Sequence, residues 1–138
     1  ILELSRDEKN SKIKAFENPL TQSQLNKARA AVRDVRMSEQ VEEYLVQIIL
    51  ATRNSDKYGG NLSDWLEFGA SPRATIALDI CSKSLAWLDN RNFVTPDDIR
   101  SIAHDVLRHR LILSFEAEAN GISSDQVVDE LLKVVPSA

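Results

Sequence analysis

The sequence predicts a mainly α fold, a small bundle of about five helices with one or two short strands. Three observations carry that prediction. Only four glycines and four prolines occur in 138 residues, so little of the chain is committed to tight turns. Serine or threonine stands at each expected helix start, where its oxygen can satisfy a free amide. Behind those starts, apolar residues recur three and four apart.

The elements follow in order. Ile1-Leu2-Glu3-Leu4 reads as the end of a helix, so the start is taken as an internal cut in a longer polypeptide. Residues 1–20 are polar overall and read as a connector from an upstream domain, with the helical domain occupying 21–138. Thr21-Gln22-Ser23-Gln24 matches the capping box, in which first and fourth side chains satisfy amides reciprocally. Leu25, Ala28 and Val32 follow at helical spacing, and Val35-Arg36-Met37 is a short extended candidate. Ser38 caps the second helix, with Glu39, Glu42 and Glu43 at its positive end. Val41, Leu45, Ile48 and Thr52 form its inner stripe, widened by Tyr44 and Ile49. A long loop is expected over 55–70, with one helical turn near Leu62–Leu66.

Ser71-Pro72 starts the third helix, since proline at the first helical position loses nothing by lacking an amide proton. Its inner face is read as Ala74, Ala77, Leu78, Cys81, Leu85 and Leu88, broadened by Ile80, Ala86 and Trp87. Phe93-Val94 is a second extended candidate, and Thr95-Pro96-Asp97-Asp98 starts the fourth helix. Ile99, Ile102, Ala103, Val106 and Leu107 point inward. Leu111–Phe115 reads as a strand or a helix end, and Gly121 as a turn. Ser123 to Gln126 is a further capping box, opening a helix that buries Val127, Val128, Leu131, Leu132 and Val135.

Several function classes are disfavoured. Net charge is −4, which argues against a nucleic-acid binder. The single cysteine, Cys81, cannot form an internal disulfide and fits a reducing cytoplasm. No run approaches the ~20 apolar residues of a membrane span. There is no GxxxxGK[ST] loop and no acidic strand end for magnesium. His104 and His109 lie five apart and so fall on different faces, and no metal site is expected. The chain alone is therefore not read as an enzyme.

One segment does point to chemistry: Phe68-Gly69-Ala70-Ser71-Pro72-Arg73-Ala74. Gly69 permits close approach or an unusual backbone angle. Ser71 and Pro72 fix the helix start. Arg73 then sits in the first turn, the electrostatically wrong end for a cation. An anion there would meet both free amides and a guanidinium fork. A solvated arginine, or one paired with a nearby carboxylate, is the simpler alternative.

Taken with Ala51-Thr52-Arg53, Val94-Thr95-Pro96-Asp97-Asp98-Ile99 and Val106-Leu107-Arg108-His109-Arg110, this segment resembles the C-terminal lid of MoxR-type AAA+ ATPases. The resemblance spans roughly residues 21 to 135. It implies a lid that packs over a nucleotide held by a separate α/β core. Arg73 would be the sensor-2 arginine reaching the γ-phosphate, supported by Gly69, Ser71 and Pro72. ATP and magnesium would be bound mainly by the core. The implied partners are that core, neighbouring subunits of a ring, and a protein with a von Willebrand factor A domain. A chaperone-like motor is the implied role, and a stand-alone helical protein- or DNA-interaction module the alternative.

Other residues complete the reading. Arg53 ends the second helix, where a cation suits the dipole, and reads either as a helix-end charge or as a brace for the sensor loop. Arg108, His109 and Arg110 form a basic patch that the dipole at the end of the fourth helix explains, with bracing or an interface as the alternative for His109 and Arg110. Trp65 is a candidate interface anchor, because aromatic side chains dominate such contacts.

Overall fold

The computed structural model describes residues 18–137, and the readings made for residues 1–17 lie outside them. Seven helices and one two-stranded sheet are present among the described residues. Helix α1 spans Gln22–Arg33, α2 Glu39–Arg53, α3 Leu62–Trp65, α4 Pro72–Leu88, α5 Pro96–Leu107, α6 Phe115–Ala119 and α7 Ser124–Val134. Strands β1 (Leu66–Phe68) and β2 (Ile112–Leu113) pair antiparallel, Leu66 opposite Leu113 and Phe68 opposite Ile112, with an irregularity between them.

The five long helices are those expected. The capping boxes at Thr21 and Ser123 are formed, and Ser38 accepts the Val41 amide. Among the described residues α2, α4, α5 and α7 enclose the core, with α1 laid against α4. The inner stripes of α2 and α7 are buried as the spacing predicts, and those of α5 nearly so, with Ile102 half-buried. The two extended candidates meet each other: Arg36 and Phe93 form a parallel bridge, Arg36 N donating to Asn92 O and Val94 N to Arg36 O, each at 2.9 Å.

Three readings need correction. Residues 55–70 are not a long loop; a 3₁₀ turn (Ser55–Lys57), α3 and β1 fill most of them. Helix α6 was not anticipated, and Ser114 caps it by accepting the Ala117 amide. The face of α4 is rotated from the one expected. It buries Ala74, Leu78, Ser82 and Ala86, while Cys81, Ile80, Trp87 and Leu88 are exposed. Ser82 Oγ, fully buried, satisfies itself by donating to Asp79 O at 3.1 Å.

The entry to α5 is held by an ion pair. Arg91 grips the Asp98 carboxylate with both terminal nitrogens, at 2.8 and 2.6 Å. Asp98 also accepts from the Thr95 amide at 2.7 Å and from its hydroxyl at 2.9 Å. Burial pushes the Asp98 carboxyl up, but the Arg91 guanidinium and the Thr95 donors outweigh it and hold it below its ordinary value. The sign follows from proton uptake. Stabilisation by Asp98 is complete above the ordinary carboxylate pKa and is lost as pH falls below about 4, through the depressed folded value. Asp98→Asn is expected to lower stability at neutral pH by about 1–3 kcal/mol. It should also flatten the acid limb of a denaturation-midpoint series against pH. An unchanged acid limb would remove Asp98 from this role.

Candidate functional site

The residues singled out around the helix start come together at the junction of β1, α4 and the C-terminal end of α2. Ser71 is the N-cap of α4, in extended conformation, and Pro72 is its first residue. The Ser71 hydroxyl makes no capping hydrogen bond; Pro72 has no amide proton and Ala74 N donates to Ser71 O at 2.8 Å, so the Arg73 amide is the one first-turn donor left uncapped. Arg73 lies in that first turn with an exposed side chain, and among the described residues it takes part in no ion pair. Ala70 and Ala74, on either side, are fully buried. The cation is thus at the surface, while the backbone that carries it is sunk in the core.

Gly69 owes its identity to close approach. A Cβ there would fall inside the carbonyl group of Thr52 and only 2.8 Å from its Oγ1. Thr52 is 2% exposed. Its Oγ1 donates to Ile49 O at 2.7 Å and accepts the Ala70 amide at 2.9 Å. Arg53 Nη1 donates to Ala70 O at 3.3 Å. Both backbone polar groups of Ala70 are therefore held by consecutive residues of α2. In the sequence Thr52 closes the inner stripe of α2 and stands in Ala51-Thr52-Arg53, with no role given to its hydroxyl. Its signal was a threonine closing an apolar stripe, because a buried hydroxyl must find partners.

The remaining candidates are spread over other parts of the fold. Trp65 ends α3, half-buried against the core, and its carbonyl accepts the Ser114 amide at 2.9 Å. Arg110 donates from Nε to Val106 O at 2.9 Å, closing the C-terminal end of α5. His109 is exposed. Arg108 pairs with Asp105 at 3.4 Å and with Asp125 at 3.0 Å, at the N-terminal end of α7. His104 contacts Asp129 at 3.0 Å, away from His109. Among the described residues no three His, Cys, Asp or Glu side chains lie grouped to hold a metal ion. No helix among them is long and apolar enough to cross a membrane.

Residues 63–131 match the AAA lid domain family. The chain is 39% identical over 94 residues to the chaperone MoxR1 of Mycobacterium tuberculosis, covering 67% of this chain and 25% of that protein. It is 32% identical over 132 residues to the uncharacterised protein YeaC of Bacillus subtilis, covering 96% of this chain and 39% of that one. A crystal structure of a Cytophaga hutchinsonii protein, provisionally assigned as an ATPase, superposes with a TM-score of 0.83 at 32% identity. That match covers 99% of this chain and 42% of the other. The chain thus spans between a quarter and about two fifths of the length of these relatives. With the family model spanning half of the chain and the same helical architecture shared with a larger solved protein, the chain belongs to the AAA lid domain family and is a lid of the MoxR type.

Proposed function

We propose that this lid senses ATP through Arg73, the sensor-2 arginine, and couples hydrolysis to its own movement against an α/β ATPase core. The observation that carries the reading is the placement of Arg73. It is an exposed guanidinium in the first turn of α4, beside its own uncapped amide, on a backbone fixed by the core. A terminal phosphate docked there would gain a charge-assisted fork and the positive end of the helix dipole. Without that anion, the cation sits at the end of the helix that repels it. The lid supplies one edge of the site. The phosphate loop and the magnesium ligands belong to the core, which the greater length of the relatives leaves room for.

The full-length protein is read as a cytoplasmic AAA+ ATPase working as a chaperone-like motor in a ring. Its lid would meet both its own core and a neighbouring subunit, and a von Willebrand factor A domain protein would be the external partner. Support for the chaperone role is the name of the mycobacterial relative. ATP turnover by full-length Arg73→Ala protein tests the sensor assignment: a large loss with an intact fold supports it, and near-normal hydrolysis contradicts it.

A further inference from the structure

We infer, building on the sensor reading, that Thr52 is a positioning residue for Arg73, acting through the backbone of Ala70. Three observations lead there. The Thr52 hydroxyl uses both its proton and a lone pair, toward Ile49 O at 2.7 Å and from Ala70 N at 2.9 Å, so it is locked in one rotamer. The contact is dry, since Thr52 is 2% exposed and Ala70 is fully buried. Gly69, having no Cβ, lets the loop seat directly on the Thr52 carbonyl.

From Ala70 the constraint passes to Arg73 over a short, stiff path. Ser71 is the helix N-cap, Pro72 has its φ fixed by its ring, and the Ala74 amide closes onto Ser71 O at 2.8 Å. Little torsional freedom separates the Thr52 hydroxyl from the start of the guanidinium arm. Release of the Ala70 amide would let the first turn of α4 shift or rotate about its axis. A displacement of ~1 Å in a group that must meet a reacting phosphate can cost up to about a hundredfold in rate. Arg53 adds a second tie, to Ala70 O, but its side chain is long and partly exposed. It holds the loop less firmly than a buried hydroxyl does.

Valine keeps the branched shape of threonine with a methyl group in place of the hydroxyl, so Thr52→Val removes the bond while keeping the side chain's outline. In the full-length ATPase, Thr52→Val is expected to lower kcat about tenfold, assayed well below its melting temperature. Thr52→Ser, which keeps the oxygen, should restore most of the rate. A purely structural hydroxyl would lower thermal stability without this split. The sharper readout is the double variant Thr52→Val/Arg73→Ala. If Thr52 acts through Arg73, the pair is no slower than Arg73→Ala alone. Should Thr52→Val not fold, Thr52→Cys, whose sulfur is a weak acceptor, carries the same comparison. A Thr52→Val rate within about twofold of wild type, or single effects that multiply in the double variant, overturns the role of Thr52 while leaving a slow Arg73→Ala enzyme and the sensor reading intact. Normal turnover by Arg73→Ala instead removes both.

Discussion

Full-length protein carrying Arg73→Ala is expected to hydrolyse ATP ten- to a hundredfold more slowly than wild type, because a charge-assisted hydrogen bond to phosphate is worth about 1.5–3 kcal/mol. The site makes this a clean experiment. Arg73 is exposed and pairs with no carboxylate among the described residues, so its removal leaves no buried charge behind. Surface changes of that kind usually alter stability by less than about 0.5 kcal/mol. The melting temperature should therefore hold while turnover falls. Lysine at the same position should recover part of the rate at most. An ammonium supplies the charge but not the planar fork. A rate close to wild type for Arg73→Ala would assign this cation to solvent.

The second large effect is on stability. Gly69→Ala places a methyl group inside the Thr52 carbonyl, a backbone group that cannot swing aside as a flexible side chain would. Either the loop lifts off α2 or the end of α2 unwinds. Both routes sacrifice the bond from Ala70 N to Thr52 Oγ1 and the seating of Ala70 in the core. Overpacking of this kind costs about 1–3 kcal/mol, and an unsatisfied buried amide adds to it. For a domain of this size, a fall in Tm on the order of 5–10 °C follows. Thermal denaturation followed by circular dichroism checks it. A Tm within about 1 °C of wild type would mean that the loop does not sit on Thr52.

The fold was legible wherever a helix has a clear polar side. Helices α2, α5 and α7 carry charged residues opposite their apolar stripes, and spacing alone identifies their buried faces. Helix α4 lacks that contrast. Ile76, Ile80, Trp87 and Leu88 are exposed, while the smaller Ala74, Ser82 and Ala86 are buried. Hydropathy favours the large side chains, but the close-packed core takes the small ones. The pairing of β1 with β2 joins residues more than forty positions apart through a three-residue and a two-residue strand, too short for any periodicity to register. Helix α6, five residues long, is hidden for the same reason.

The candidate site was legible in part. Ser71, Pro72 and Arg73 announce a helix start and a misplaced cation in sequence alone. For Gly69 the sequence leaves two reasons open, close approach or unusual backbone angle, and the position of Thr52 selects the first. The Thr52 contact is a tertiary hydrogen bond across 18 residues, which no local pattern encodes. Likewise, the pairing of Arg91 with Asp98 shows only when the turn before α5 folds back onto its first residues.

Nucleotide selectivity offers the most direct test, because ADP lacks the one group that Arg73 is proposed to hold. Affinities of the full-length wild-type and Arg73→Ala proteins for a non-hydrolysable ATP analogue and for ADP separate the possibilities. A ten- to hundredfold loss is expected for the ATP analogue, with little change for ADP. Equal losses for both nucleotides, or none for either, would take the terminal phosphate away from Arg73.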